Sequence, residues 1–384
     1  YFSLILLIPL SVAIYFEFIE LPQNHPQPHS FFAFFLSFVF CLVLANIFRY
    51  FGKSAKGLLF RRESLLIVIL IWLISAFVSA LPFYLSGTLN PLDSYFESMS
   101  GLTTTGSTMI SAKKFAPNGK ELAIQIPIGK NSGDFYEYFG TIFPVMDPKT
   151  GRELTGLEAV GKALLLWRAF LEWLGGMGIV VLFLTVLPAL GVGGKTLYQT
   201  ETTGPLKEGI SPRLKETASL LWKLYISLSI LELILLLFTN RSLPLFDAIC
   251  LTLSNLSTGG FSIHQESIGY YNSSATEWVV ILFMFLGSIN FGLYFHLIRM
   301  KLYKIYSTDF FLFFGLMIFG SLLTSYFILD TPNQEIFSTG ENYSWFSAFR
   351  SGTFQWVSSQ SSTGYFTANY NLWPMNGQIL FLLA

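Results

Sequence analysis

The sequence predicts an all-α polytopic membrane protein with an internally repeated helical unit. Of the 384 residues, 52% are hydrophobic and only 12% are charged, whereas a soluble domain carries about 25% charged residues. Long stretches carry no charge at all, and one short polar motif recurs three times between them. The 23 basic and 23 acidic residues cancel, which argues against a nucleic-acid-binding protein, and the apolar content argues against a disordered chain.

Apolar stretches of roughly the length needed to cross a bilayer core of about 30 Å define the predicted membrane spans. Six of them carry no Asp, Glu, Lys or Arg, and a seventh carries only Lys223 and Glu232. The predicted spans are 1–16, 31–48, 64–92, 173–194, 218–238, 278–298 and 310–329. The first is too long for a signal-peptide core, and an eighth is expected to begin near Asn376.

The distribution of basic residues predicts the orientation of these spans. Twelve of the 23 basic residues lie in the short loops 49–62, 195–215 and 299–304, whereas the connections 20–30 and 330–345 contain none. Because Lys and Arg accumulate on the cytoplasmic side, the three basic loops are predicted to be cytoplasmic.

Three shorter apolar segments lie between pairs of predicted spans. Residues 90–102, 244–256 and 344–361 are helix-compatible but too short to cross the bilayer. Each is either a re-entrant half-helix, which enters and leaves on one face, or an amphipathic helix on the outer surface. The segments alone do not distinguish these alternatives, but the residues that follow them favour the re-entrant one.

Each short segment ends in a small polar motif that contains a Thr-Gly pair. Non-helical backbone at membrane depth persists only where it is buried in protein or lines a water-filled path. Small residues and glycine allow the chain to run extended, so that rings of carbonyl oxygens replace the hydration shell of a cation, as in potassium-channel filters. Aligned on the shared Thr-Gly, the motifs are Thr103-Thr104-Thr105-Gly106-Ser107, Ser257-Thr258-Gly259-Gly260-Phe261 and Ser361-Ser362-Thr363-Gly364-Tyr365.

These motifs predict a cation selectivity filter. A half-helix that ends just before the filter directs its negative dipole end at the cation, and the motifs contain no acidic residue, which favours a carbonyl ring over a carboxylate ring. The predicted ion-binding residues are Thr104, Thr105, Gly106, Ser257, Thr258, Gly259, Ser362, Thr363 and Gly364.

Two rival functions remain. An intramembrane enzyme would use the Ser and Thr residues as nucleophiles, but such chemistry needs a base within reach, and no His, Lys or Asp lies inside the motifs. A purely structural membrane subunit would have no use for three polar filters. Cys41 and Cys250 are too few for a disulfide framework or a zinc site, and are predicted to be buried and inert.

The motifs resemble those of the Trk/Ktr/HKT superfamily, most closely its TrkH branch. The likeness covers nearly the whole chain. It is carried by the three filter segments 96–106, 256–262 and 354–364, and by the segments 172–179, 201–207 and 213–218.

The resemblance implies a potassium uptake protein with four helix–pore helix–helix repeats around one pseudo-fourfold pore. The filter glycine of each repeat carries over onto Gly106, Gly259 and Gly364. In the plant branch that favours sodium, the first of these is Ser, so Gly106 favours potassium. Less selective sodium/potassium permeation and ion-coupled symport remain as alternatives, and no organic cofactor is expected in the chain.

The resemblance also implies partners and a location. The family assembles as a homodimer in the bacterial plasma (inner) membrane, with gating from the cytoplasmic side. A cytosolic ring of nucleotide-binding (NAD/ATP) subunits of the TrkA type is expected to dock on the basic inner loops.

The predicted domains follow from this pattern. Two extra transmembrane helices occupy 1–60, and pore repeats one, two and three occupy 61–195, 196–305 and 306–384. The third repeat is expected to be truncated, with the fourth repeat, its pore arginine and the gate loop after Ala384. A polar insert at 111–157 is predicted on the outer side, either as a small cap over the pore mouth or as a disordered loop.

Several charged residues are predicted to have structural roles. Arg168 and Glu172 are spaced for an ion pair within one helix, and Glu232 is deep enough to bond a neighbouring helix or half-helix. Glu97 is expected to stabilise filter backbone or to cap its half-helix, as is Asp247. The remaining residues are Arg350, expected at the outer mouth, and His264 and Gln265, near the vestibule.

Overall fold

A computed structural model describes most of the chain as helices. The described residues are 2–20, 29–53, 61–127, 135–147, 151–190, 212–289, 293–294, 308–338, 340–381 and 384. The α-helices are Phe2–Ile5, Leu7–Ile14, Ser30–Gly52, Arg61–Leu85, Pro91–Leu102, Lys162–Leu190, Pro212–Thr239, Leu245–Leu256, Ser274–Ser288, Thr308–Ile328, Trp345–Gln360 and Met375–Leu380. A π-helical segment, Tyr15–Ile19, follows the second helix, and single 3₁₀ turns lie at Gly156–Ala159, Ser267–Tyr271 and Tyr370–Leu372.

Five helical stretches in the described part of the chain are long and apolar enough to cross a membrane. They are Phe2–Ile19, Ser30–Gly52, Leu66–Leu85, Ala218–Thr239 and Phe310–Ile328. Each overlaps a predicted span, because a long run with few or no charges gives a helix no polar face to expose to water. A sixth predicted span, 173–194, falls on the helix Lys162–Leu190 as far as that helix is described.

The prediction of one unbroken helix over 278–298 is wrong. The helix begins at Ser274 and ends at Ser288, and Ile289 has an extended backbone with φ −68° and ψ 136°. The sequence at this point contains Gly287, Ser288 and, after Ile289, Asn290. Glycine, serine and asparagine have low helix propensity.

The three short predicted segments are short helices in the structure. We name them the first half-helix (Pro91–Leu102), the second half-helix (Leu245–Leu256) and the third half-helix (Trp345–Gln360). The first begins at Asn90, whose side chain accepts a hydrogen bond from the Asp93 backbone N–H at 2.9 Å, with Pro91 in the first turn. This combination of cap and proline fixes the start of the helix.

Each half-helix packs against two or three other helices. The first lies against Arg61–Leu85 and Lys162–Leu190, and the second lies against Pro212–Thr239, Ser274–Ser288 and again Lys162–Leu190. The third packs against Thr308–Ile328 and Ser274–Ser288. We call Lys162–Leu190 the first return helix and Ser274–Ser288 the second return helix. Each return helix contacts the half-helix that precedes it in the chain and the half-helix that comes next.

The polar insert is folded in its described parts. Three antiparallel hairpins pair Lys114–Phe115 with Glu121–Leu122, Ile124–Pro127 with Phe135–Tyr138, and Val145–Met146 with Glu153–Leu154. These short strands are the one departure from an all-helical fold among the described residues. Of the two alternatives, the hairpins favour a small cap over a disordered loop.

Most of the predicted cytoplasmic residues fall outside the described part of the chain. Residues 54–60, 191–211 and 295–307 are in this group. The predicted docking surface for cytosolic subunits therefore stays a prediction.

Candidate functional site

Each half-helix ends in the same backbone turn. The residue that follows the helix cap has a left-handed conformation, with φ of +52° at Thr104, +51° at Thr258 and +59° at Ser362. Residues with a branched or hydroxyl side chain seldom adopt this conformation, and such strain concentrates at functional sites. The same unusual choice at three equivalent places indicates a structural requirement of the turn.

The hydrogen bonds of the three turns are also the same. The backbone N–H groups of Thr104, Thr258 and Ser362 donate to the carbonyl three residues earlier, at 3.1, 2.9 and 3.0 Å. The next N–H group in each turn donates to the carbonyl five residues earlier. These bonds are Thr105 to Ser100 at 2.9 Å, Gly259 to Ser254 at 3.0 Å and Thr363 to Ser358 at 2.9 Å. This is the Schellman arrangement, which satisfies the last carbonyls of a helix, and it is normally built on glycine.

The backbone corrects the predicted alignment of the second motif. Two residues after each left-handed turn residue comes a glycine with positive φ, at Gly106 (+74°), Gly260 (+86°) and Gly364 (+82°). The counterpart of Gly106 in the second motif is therefore Gly260, and Gly259 corresponds to Thr105 and Thr363. Aligning on the shared Thr-Gly shifted this motif by one residue. The serine four residues before each turn residue (Ser100, Ser254 and Ser358) is the sequence signal that gives the right register.

Successive turns touch each other through these glycines. A Cβ atom built on Gly106 would collide with the carbonyl oxygen of Gly259, and one built on Gly260 would collide with the carbonyl oxygen of Thr363. The second turn therefore lies between the first and the third. These close approaches leave no room for a side chain at Gly106 or Gly260. Glycine is therefore required at both positions even apart from their positive φ angles.

The predicted site residues are distributed around this contact. Eight of the nine lie in the turns, whereas Ser257 is the cap of the second half-helix and is 6% exposed. Thr363 is buried at 2% exposure, whereas Thr105 and Gly364 are exposed. Ion binding by these residues stays a prediction.

A buried ion pair supports the chain after the first turn. Arg168 Nε lies 2.6 Å from Glu97 Oε1, with both side chains at most 2% exposed. Glu97 also accepts hydrogen bonds from the Thr108 hydroxyl at 2.9 Å and from the Met109 backbone N–H at 2.9 Å. Glu97 therefore holds the backbone beyond the turn at 104–106, whereas the prediction had it stabilise the motif itself or cap its half-helix. The predicted pair between Arg168 and Glu172 within one helix is wrong, because tertiary packing gives each of them a different partner.

Glu172 supports the second turn instead. This residue of the first return helix is fully buried, accepts a hydrogen bond from the Ser254 hydroxyl, and lies 3.2 Å from the Phe261 backbone nitrogen through each carboxylate oxygen. Glu232 accepts a bond from Asn255 Nδ2 at 2.5 Å, which confirms its predicted contact with a half-helix.

The third turn is held by neutral groups. The Ser358 hydroxyl donates to the Tyr365 carbonyl at 2.7 Å, and the Tyr365 hydroxyl donates to the Phe261 carbonyl at 3.3 Å. Gln355 donates to the same Tyr365 carbonyl at 3.4 Å. The second and third loops are thus linked just beyond their glycines.

His264 joins the second half-helix to the end of the insert. Its Nε2 lies 3.1 Å from Asp247 Oδ2, and its Nδ1 lies 3.4 Å from Glu158 Oε1. The ring stacks on Tyr270 with centroids 3.5 Å apart. Burial alone would lower the pKa of His264, but the two carboxylates outweigh burial and raise the pKa above its usual value.

Arg350, which was predicted at the outer mouth, forms two ion pairs. Its Nε lies 3.0 Å from Glu277 Oε2, and its Nη2 lies 2.8 Å from Glu335 Oε2. The pair with Glu277 joins the third half-helix to the second return helix. The pair with Glu335 joins the third half-helix to the connection 330–344 that precedes it in the chain. The arginine finds its partners in two segments that are distant in the sequence, so no local pattern indicated them.

The comparisons with known proteins agree with this geometry. Residues 146–384 match the family model described as TrkH, cation transport protein. The chain belongs to the TrkH family. The family is one of cation transporters, and the membership covers the second and third turns directly.

Relatives of the TrkH family match the rest of the chain. The Trk system potassium uptake protein TrkH of Salmonella typhimurium is 32% identical over 357 residues, which is 92% of this chain and 63% of that protein. TrkG of Escherichia coli is 30% identical over 387 residues, which is 100% of this chain and 67% of that protein. The chain therefore spans about two thirds or less of the length of these relatives.

A solved TrkH structure has the same fold. The crystal structure of the potassium transporter TrkH from Vibrio parahaemolyticus aligns with a TM-score of 0.70 and 27% identity, covering 100% of this chain and 66% of that one. The predicted helical membrane fold and the predicted TrkH resemblance are both confirmed. The chain is a multi-pass protein of the plasma (inner) membrane. Its apolar spans predicted the multi-pass character, and the family resemblance predicted the membrane.

Proposed function

We propose that the protein mediates potassium uptake across the plasma membrane, through a selectivity filter lined by backbone carbonyls and gated from the cytoplasmic side. The observation that carries the proposal is the backbone turn that recurs at Thr104, Thr258 and Ser362, with each turn in contact with the next. The names of the relatives, as potassium uptake proteins, support the choice of ion.

The turns have the chemistry that cation passage requires. A potassium ion loses hydration water on entering a narrow path, and carbonyl oxygens of an extended backbone replace that water. Each half-helix ends immediately before a turn, so three negative dipole ends converge on the same place. The potassium-binding carbonyls would belong to residues 104–106, 258–260 and 362–364, with the second set corrected by one position from the sequence alignment.

We further propose that these turns form three parts of a pseudo-fourfold ring. A Cβ built on Gly364 meets no heavy atom within 4 Å among the described residues, so that side of the third turn has room for a further turn of the same kind. The greater length of the relatives supports a fourth repeat. The domain division at 60, 195 and 305, with the insert 111–157 as an outer cap, belongs to the same proposal.

The family resemblance supplies the proposed partners. We infer a homodimer, with a cytosolic ring of nucleotide-binding subunits of the TrkA type docked on the basic loops 49–62, 195–215 and 299–304. The polybasic composition of these loops supports a cytoplasmic position. Sodium/potassium permeation with low selectivity and ion-coupled symport are the alternatives.

Flux into liposomes that contain the full-length protein tests the proposal. Potassium uptake that exceeds sodium uptake is the expected result, and a pH or sodium gradient that drives uptake would identify symport. Gly106→Ser is the informative variant, since its Cβ would displace the Gly259 carbonyl, and we expect it to reduce the preference for potassium. Absence of cation flux from the wild-type protein, or unchanged selectivity in the variant, would contradict the filter assignment.

A further inference from the structure

The second turn differs from the other two at one position. In the register that the backbone defines, Gly259 of the second turn occupies the position that Thr105 occupies in the first turn and Thr363 in the third. The hydroxyls of these threonines lie within hydrogen-bond distance of the hydroxyl two residues earlier, at 2.8 Å from Thr103 and 2.7 Å from Ser361. In the second turn no such pair can form, because glycine has no side chain.

The carboxylate of Glu172 fills the corresponding space. A Cβ atom built on Gly259 would lie 2.5 and 2.6 Å from the two carboxylate oxygens of Glu172 and would also collide with its carboxyl carbon. No Cβ atom approaches other atoms so closely in a stable protein. A side chain at position 259 would therefore displace the Glu172 carboxylate from the place where it bonds Ser254 and the Phe261 nitrogen.

Glu172 also makes the bonds that fix the second turn. Its carboxylate accepts a hydrogen bond from the Ser254 hydroxyl, near the end of the second half-helix. Its Oε1 lies 3.2 Å from the backbone nitrogen of Phe261, just beyond Gly260. These two contacts bracket the turn on both sides. The residue comes from the first return helix, so the support for the second turn is supplied by the preceding unit.

We propose that Glu172 is a positioning residue for ion selectivity, which holds the second filter turn in place of the threonine side chain found in the other two turns. The inference rests on the proposed function of the turns as a filter. Glu172 does not contact the ion; it sets the positions of the carbonyls of Thr258, Gly259 and Gly260.

The other buried carboxylates do not have this arrangement. Glu97 contacts the chain two to three residues past its turn, through Thr108 and the Met109 nitrogen. Glu232 bonds Asn255, which lies within the second half-helix. Glu232 is therefore a suitable control for the general effect of removing a buried carboxylate from this region.

Potassium and sodium flux in liposomes that contain the full-length protein tests this proposal with single and paired variants. Glu172→Ala is expected to lose about tenfold in potassium over sodium discrimination, which corresponds to about 1.4 kcal/mol. Glu172→Gln keeps the shape and an acceptor for the Phe261 N–H, so it is expected to retain discrimination within a few-fold of wild type. Gly259→Thr alone is expected to lose discrimination, because its side chain collides with Glu172.

The decisive variant is the pair Glu172→Ala with Gly259→Thr. It recreates the composition of the other two turns and is expected to recover discrimination relative to either single variant. The matched control, Glu232→Ala with Gly259→Thr, is expected not to recover. A merely structural role for Glu172 would not produce this specific rescue, and melting temperatures of all variants in detergent show which of them are folded.

Three results would overturn the proposal. They are a Gly259→Thr protein with wild-type discrimination, a paired variant no better than Gly259→Thr alone, and a Glu172→Gln protein as impaired as Glu172→Ala. If the paired variant does not fold, the comparison between Glu172→Gln and Glu172→Ala still decides. If the wild-type protein carries no potassium, the proposed function fails first, and the two failures are thereby distinguished.

Discussion

Arg168 Nε lies 2.6 Å from Glu97 Oε1, although the two residues are 71 positions apart in the chain. The same guanidinium donates to the Ser262 carbonyl at 2.9 Å, which follows the second turn. It also lies 4.0 Å from the Phe261 ring centroid. One buried side chain thus joins the first half-helix, the first return helix and the loop after the second turn.

Replacing Arg168 alone is expected to lower folding stability more than replacing Arg168 and Glu97 together. Arg168→Met leaves the Glu97 carboxylate buried without its counter-charge, which costs about 3–5 kcal/mol of folding stability. The double variant Arg168→Met with Glu97→Gln leaves no uncompensated charge and is expected to be more stable than Arg168→Met alone. Thermal unfolding in detergent measures both. Equal melting temperatures for the single and double variants would contradict a charge-compensated pair.

Gly260 is expected to tolerate no side chain, because of contact rather than backbone strain alone. Gly260→Ala would place a Cβ against the Thr363 carbonyl, and we expect loss of potassium-selective flux together with lower stability. Gly119 is the matched control, since it has φ +77° and a Cβ there meets nothing within 4 Å. Gly119→Ala is expected to cost about 1–2 kcal/mol and to leave selectivity unchanged. Similar losses of selectivity in both variants would contradict this explanation.

Thr258 is expected to trade stability for function. Its φ of +51° is unfavourable for a β-branched residue, so Thr258→Gly relieves about 1–2 kcal/mol of strain and loses about 0.5–1 kcal/mol through backbone entropy. We expect a melting temperature equal to or above that of wild type, with reduced potassium over sodium discrimination in the flux assay. Asn272→Gly, at another positive φ of +42°, should leave discrimination unchanged. A destabilised Thr258→Gly protein would show that the conformation is not strained.

His264 is expected to make stability depend on pH. Its pKa is raised in the folded protein by Asp247 and Glu158, against the effect of burial. The stabilisation is therefore complete below the unfolded pKa of about 6.5 and is lost as the pH rises through the folded pKa. The melting temperature of wild type should exceed that of His264→Gln most clearly near pH 5.5, and the difference should shrink by pH 8.5. A difference that grows with pH would contradict the assignment of these contacts as ion pairs.

The spans and half-helices could be read from the sequence because their signals are local. Charge-free runs such as 31–48, which lies in the helix Ser30–Gly52, have one low-energy arrangement in a bilayer, in which the backbone groups bond within the helix. The helix break at Ser288 lay within such a run and was missed, because apolar content does not report propensity at Gly287 and Asn290. The recurrent polar motif also located the three places where the structure has the same backbone turn.

The partners of the buried charges could not be read in this way. The spacing of Arg168 and Glu172 fits a helical ion pair, yet the half-helices supply partners with better geometry. Glu97 meets Arg168, and Ser254 together with the Phe261 N–H meets Glu172. Sequence spacing describes one helix at a time, whereas these contacts depend on how three helices pack.

The sequence by itself determined that the protein spans a membrane and that one small polar motif recurs three times, each time after a short helix. Only the tertiary structure decided the register of the second turn, where Gly260 rather than Gly259 corresponds to Gly106 and Gly364. The physical reason is that hydrogen bonds to the preceding half-helix fix which residue is left-handed. A carboxylate from another helix, Glu172, then occupies the space of the side chain that Gly259 lacks.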